Sequence, residues 1–298
     1  MELWIPITVF AAFSQNLRSA LQKNLKQVLS TWGSTAARFV FAAPLALVLF
    51  AGLVLARGDA VPAAGATFVG FSVAGGVCQI VASGLLIHLF SFQNFSVATA
   101  FTKTEPIQTA LFGIVLLGDR LSPGVAVAII VSLLGVILIS LPANREKGGR
   151  WLNPTIWMGI ASGGLFGLSA VAYRGASLSL ASGDVFLRAS MTLAFVTTVQ
   201  ALMVLAWLRW REAGQVSKLF VHWRAAGLVG LVGMLGSLAW FTAFTLENAA
   251  HVRAVGQIEV VFMIAASVFV FRERVSLREI AGVLLVSAGI LGLVLSSG

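Results

Sequence analysis

Cysteine and charge are what this sequence has least of. One cysteine, Cys78, excludes an intramolecular disulfide framework and a cysteine-rich metal site. The three histidines are scattered, without the spacing of metal ligands. Asp, Glu, Lys and Arg together make up 10% of 298 residues, against about 25% in soluble domains. A water-soluble core is therefore excluded. No Walker sequence is present, which argues against ATP hydrolysis by this chain. The connecting segments are all too short to hold an extramembrane domain, so function must lie within a bundle or at its mouths. The first apolar run has no basic leader and contains Ser14, Gln15 and Asn16. It is expected to be a retained span and not a cleaved signal peptide.

What the chain has in abundance is apolar length. Hydrophobic residues reach 58%, mean hydropathy is +0.95, and the runs approach the roughly 20 residues that cross a bilayer. The weaker, alternating segments of about 10 residues that mark a membrane β-barrel are missing. The expected fold class is an all-α integral membrane protein. Ten spans are expected near 3–21, 31–55, 64–90, 95–117, 121–141, 155–176, 182–208, 223–245, 249–271 and 276–296. The net charge of +9 then reads as loop Lys and Arg that set orientation, with no nucleic acid as partner. Gly159, Gly163 and Gly167 recur every four residues, and Gly227, Gly230, Gly233 and Gly236 every three. Such small-residue stripes let helix backbones approach closely.

A repeat organises these spans. Residues 94–135, shifted by 154 without a gap, lie on 248–289. Asn94 then meets Asn248, Ala100 Ala254, Glu105 Glu259, Ser122 Ser276 and Gly135 Gly289, while Asp119 meets Glu273 and Arg120 meets Arg274. At a shift of 150, Arg38 meets Arg188. Two halves of five spans follow, 1–143 and 150–298, within one membrane bundle. Because five is odd, the second half enters from the opposite face. Ten transmembrane helices as two inverted five-helix repeats is the plan of many secondary transporters, with substrate bound near the midplane.

The segments "EPIQTALFGIVLLGDRLSPGVAVAIIVSLLGVILI" and "IEVVFMIAASVFVFRERVSLREIAGVLLVSAGILGLVL" resemble the two blocks of the drug/metabolite transporter superfamily, in its ten-span EamA branch. "LGDRLSPG" and "FRERVSLRE" resemble its acidic-Arg turns, and "RFVFAAPLAL" its Arg-bearing second span. Two departures stand out. The first span lacks the Trp-Gly common there, and Glu259 is followed by Val260 where Glu105 is followed by Pro106. The resemblance implies export of amino-acid-like metabolites or drugs.

Loop cations concentrate in the odd-numbered connections, including Arg18, Lys23, Lys26, Arg209, Arg211, Lys218 and Arg224, with Arg57, Arg120 and Arg174 on the other side. The positive-inside rule then puts both termini outside the cytoplasm, whereas the resemblance implies cytoplasmic termini; the charge count is followed. The expected location is the inner or plasma membrane of a bacterium. Arg38, Lys103, Arg188 and Arg253 fall inside spans, where an ionised group costs roughly 2.5–3.5 kcal/mol on insertion scales. Arg38 and Glu105 lie within about 5 Å of the same depth at the helical rise of 1.5 Å per residue. Arg188 and Glu259 repeat the relation. These are the expected charge pairs, and a structural role is favoured for them over transport chemistry.

Lys103 and Arg253 are left without an acid by that pairing. Arg253 and Gln257, four apart, share a helix face. With Gln15, Asn16, Gln79, His88 and Trp240 they are the candidate substrate-binding residues around a polar cavity. Snorkelling to the interface is an equal alternative for Arg253, and a satisfied interior histidine is the favoured reading of His88. Pro106 kinks the fourth span beside Glu105, as a hinge, a cation site or a passive bend. The reading is a secondary active transporter, an exporter of small, anionic or zwitterionic metabolites working by alternating access. Its partners would be the substrate, the bilayer and a coupling proton or other ion. A membrane enzyme would need a cluster of acids, bases or metal ligands on one face, and none is apparent, so no catalytic residue, metal or cofactor is expected. A channel or scaffold subunit has less reason to repeat Arg and Glu in both halves.

Overall fold

The computed structural model describes residues 2–89, 102–140, 154–269 and 276–297. The start of the expected fourth span, with Asn94 and Ala100, lies outside them. So do Arg145, Lys147, Arg150, Arg272, Glu273 and Arg274. Among the described residues there are twelve helices and no strand, as lipid requires of chains that must satisfy their backbone groups internally. They are α1 (Trp4–Leu25), α2 (Thr31–Arg57), α3 (Ala66–Leu89), α4 (Glu105–Leu117), α5 (Pro123–Ser140) and α6 (Pro154–Ser179). They continue with α7 (Val185–Arg211), α8 (Gln215–Val221), α9 (Trp223–Leu246), α10 (Ala249–Gly256), α11 (Ile258–Phe269) and α12 (Leu277–Ser297).

Six of these, α2, α3, α6, α7, α9 and α12, are long and apolar enough to cross a membrane, and α4 and α5 are shorter apolar helices. Two differences from the expected spans are informative. The ninth is not continuous: Gln257 N–H bonds Ala254 O, and Val260 N–H bonds Gln257 O, both three residues back. This tight turn separates α10 from α11. The segment after Arg211, expected as a plain loop, contains α8. Its turn of entry is made by Gly214, at φ +88°, and Leu219 is fully buried beneath it.

Two compact units form, each drawing on both halves of the sequence. The first comprises residues 1–80 and 169–247. In it α1 packs on α9 and α2 on α7 and α9, around Leu25, Phe39, Val204, Leu208 and Val229. The glycine stripe of α9 is a packing surface. A Cβ on Gly230 would stand 2.4 Å from Phe41 Cβ, and one on Gly236 3.0 Å from Ser14 Cβ. Ser30 caps α2 by accepting from Gly33 N–H, and its own N–H bonds Gln215 Oε1. At the other end Arg57 meets Asp184, the N-cap of α7, at 2.7 Å.

The second unit comprises residues 81–168 and 248–298. Here α5 crosses α12 and α4 packs on α10. The α5–α12 crossing is symmetric. A Cβ on Gly135 would lie 2.6 Å from Gly282 O and 2.7 Å from Val286 N, and one on Gly289 2.6 Å from Ser132 N and 2.8 Å from Ala128 O. Residues 128 and 282, 132 and 286, and 135 and 289 are related by the 154-residue shift, so the two helices meet about a local twofold. On α6, Gly163 admits the Thr102 carbonyl and Gly167 the side chain of Thr109.

Candidate functional site

Both copies of the repeat are interrupted at the same register. In the second copy the turn is at Gln257; in the first, residues 103 and 104 form a turn before α4 begins at Glu105. Lys103 and Gln257 are equivalent under the shift. The interruptions have an electrostatic consequence. Glu105 opens α4 and Glu259 lies in the first turn of α11, where the positive end of the helix dipole favours an anion. Arg253 lies in the last turn of α10, where the dipole favours a cation. Pro106 occupies the start of α4, a position where its missing N–H costs nothing. In the second copy Val260 stands there instead, and the turn forms without proline.

Each carboxylate is paired across the halves. Arg253 Nε lies 2.8 Å from Glu105 Oε1, with both side chains nearly buried, at 7% and 13% exposure. Lys103 Nζ is in salt-bridge contact with Glu259 Oε1, at 20% and 9%. The four charges sum to zero. A buried pair of this kind offsets a desolvation penalty of several kcal/mol per ion. Gln257 is 4% exposed, and its Oε1 has no hydrogen-bond partner among the described residues.

These partners differ from the expected ones. Depth pointed to Arg38 for Glu105 and Arg188 for Glu259, yet Arg253 and Lys103 are the cations in contact with them. Height along a span says nothing about which helices are neighbours, and the turns at 103 and 257 bring the broken ends together. Arg38 and Arg188 belong to the first unit. Arg38 rests its stem on Gly233 with its guanidinium 5.1 Å from the Phe39 ring centre, while Arg188 is half-buried. Lys103 and Arg253 are not the unmatched cations that the sequence suggested, and Arg253, only 6% exposed, does not snorkel.

The other candidates lie on other helices: Gln15, Asn16, Gln79 and Trp240 in the first unit, His88 in the second. Gln15 and Asn16 are half-buried on α1, and His88 is exposed at the end of α3, so the interior reading of that histidine is corrected. Trp240 is buried on α9 and stacks on Phe244 at 5.7 Å. Gln79 belongs to a buried network. Its Oε1 accepts from Gln200 Nε2 at 2.9 Å and lies 3.1 Å from Tyr173 Oη. Gln200 also donates to Gly76 O, and Tyr173 lies within bonding distance of Gly75 O. Gly75 leaves the room in which the Tyr173 ring sits. Sequence reasoning missed Tyr173 and Gln200, although a glutamine in the middle of an apolar run was a visible signal. Arg18, counted among loop cations, is instead buried on α1 with its stem against Gly233. Arg174, placed at a membrane face, donates to the carbonyls of Phe244 and Glu247 at the end of α9.

The sequence pattern of the EamA-like transporter family matches residues 2–141 and again 153–295. An uncharacterized transporter from Helicobacter pylori (strain ATCC 700392 / 26695) is 30% identical over 100 residues, a stretch covering 32% of this chain and 32% of that protein. A protein of known crystal structure superimposes over 98% of this chain and 96% of its own, with a TM-score of 0.73 at 15% identity, a likeness of fold.

Proposed function

Since this chain belongs to the EamA-like transporter family, an integral membrane family of transporters, we infer that it is a secondary active transporter that exports small metabolites by alternating access. The reading includes ten spans in two inverted five-helix halves, in the inner membrane of a bacterium. The observation that carries it is the crossed pairing at the two interruptions. Lys103–Glu259 and Arg253–Glu105 each tie a segment of one half to a segment of the other. Interrupted helices beside buried charge are where transporters of this plan place substrate and coupling ions.

The pairing refines the substrate class. Two free cations would have favoured an anion, but each now has a carboxylate. A zwitterion brings its own carboxylate for Arg253 or Lys103 and its own ammonium for Glu105 or Glu259. It exchanges partners without leaving net charge buried, which is the costly outcome in a membrane. Gln257 Oε1 supplies an acceptor for the ammonium. The basic ends of α1 and α7 would face the cytoplasm under the positive-inside rule, with both termini outside.

Purified protein in liposomes tests this. Labelled amino-acid-like zwitterions should enter saturably, and faster when the lumen holds the unlabelled compound. Flux that rises linearly with concentration and ignores the lumenal compound would replace the carrier by a channel.

A further inference from the structure

The first unit has an exposed corner where α7, α8 and α9 meet. Its inner face is apolar: Leu219 packs with Leu25, Leu208 and Ala226, which pins the seven-residue α8. Its outer face is aromatic. Trp210, Phe220, Val221 and Trp223 are 72%, 52%, 75% and 58% exposed. Interleaved with them are the exposed cations Arg209, Arg211, Lys218 and Arg224, with Lys23 at the end of α1. Glu212, an acid in the same corner, is already bonded to the Ser30 hydroxyl.

Two of the guanidinium groups are held over aromatic rings. Arg211 lies 5.7 Å from the Trp207 centroid and 4.1 Å from that of Trp210, and Arg224 lies 5.7 Å from Trp223. Stacking fixes the plane of a guanidinium while leaving its N–H fork open at the edge, suited to bidentate phosphate binding. Exposed tryptophan is stable at the membrane–water boundary, with its ring at headgroup level. Positive charge at that same level attracts anionic lipid. The far end of this unit is different. There Arg57 is neutralised by Asp184, and Asp59 is exposed.

We propose that this corner binds the headgroup phosphate of an anionic phospholipid. Arg211 and Arg224 bond the phosphate, Arg209 and Lys218 add charge, and Trp207, Trp210 and Trp223 sit at the acyl boundary. The site uses none of the residues of the charge cluster and does not depend on what is transported.

The test uses the full chain in detergent micelles, titrated with phosphatidylglycerol or phosphatidylcholine of the same acyl chains. Thermal unfolding and native mass spectrometry read the result. Phosphatidylglycerol should raise the melting temperature and stay bound, less so in high salt, while phosphatidylcholine does neither. At the known worth of a cation near an anionic surface, Arg211→Gln should weaken retention about five-fold, and Arg211→Gln with Arg224→Gln about twenty-five-fold. Arg57→Gln, at the other end, should leave retention unchanged. Four results would overturn the proposal: equal retention of both lipids, wild-type retention in the double variant, an equal loss in Arg57→Gln, or the same thermal shift from inorganic phosphate.

Discussion

Arg253 Nε stands 2.8 Å from Glu105 Oε1, so a cation of the second half of the chain neutralises a carboxylate of the first. The reverse holds for Lys103 and Glu259. The acids are equivalent under the repeat, but the cations are not. Lys103 corresponds to Gln257, one helical turn from Arg253. The carboxylates thus follow the repeat, whereas the cations come from different turns of it.

The pairs should behave as coupled units. Glu259→Gln leaves the Lys103 ammonium buried without its carboxylate and should cost about 3–5 kcal/mol, whereas Glu259→Gln with Lys103→Gln should recover much of it. Glu105→Gln and Arg253→Gln should repeat the pattern. Double-mutant cycles on melting temperature in detergent measure both. Losses that simply add would mean that the contacts carry no coupling energy.

The α5–α12 crossing predicts a matched pair of defects. Alanine at Gly135 or Gly289 puts a Cβ within 2.6 Å of partner backbone, which has no flexible end to yield. Each should cost about 1–3 kcal/mol, as overpacking does. Gly227→Ala, whose new Cβ would find only Phe41 Cδ1 at 3.9 Å, is the control and should be nearly neutral. Folded yield after mild heating separates them. A tolerant Gly135 beside an intolerant Gly289 would break the local twofold.

Much of this was visible in the sequence, for a reason particular to these residues. Gly135 and Gly289 coincide under the shift because backbone contact tolerates nothing larger, and Glu105 and Glu259 coincide at matching helix starts. The ion pairs were not legible because helix periodicity gives a residue's height and face but not its neighbouring helix. The turn at Gln257 was hidden because Val260 replaces the proline that flags its counterpart. The helix α8 was hidden by the charges around it, since one buried Leu219 is a weak signal in seven residues. Arg18 was misplaced because its charge assigned it to the connection, although the expected span of 3–21 already contained it.

The Tyr173–Gln79–Gln200 network should be unequal in its parts. Tyr173→Phe removes one hydroxyl, while Gln79 Oε1 keeps its bond from Gln200, so the cost should be about 1 kcal/mol. Gln200→Leu takes the amide donor from Gln79 Oε1 and from Gly76 O together and should cost more, about 2 kcal/mol for the two bonds. Thermal unfolding of both variants ranks them. The reverse order would make the tyrosine hydroxyl, bonded to Gly75 O and Gln79 Oε1, the main anchor.

Asp184 provides a pH-dependent contribution outside the spans. The Leu187 backbone N–H it accepts, and then Arg57, hold its carboxyl below the ordinary value. A depressed folded value means that the stabilisation is complete above the unfolded pKa, near 3.9. It fades as pH falls through the lower folded value. Two substitutions divide the effect. Asp184→Asn keeps a good N-cap and loses only the charge, worth up to about 1 kcal/mol for so exposed a pair. Asp184→Ala loses the cap as well, about 1 kcal/mol more. The gap in melting temperature between wild type and Asp184→Asn should therefore be present at pH 7, shrink with added salt and close in acid. The gap between Asp184→Asn and Asp184→Ala should stay constant across the same range. If the wild-type advantage over Asp184→Asn survives below the folded pKa, the carboxylate charge is not its source, and the pairing with Arg57 contributes nothing to stability.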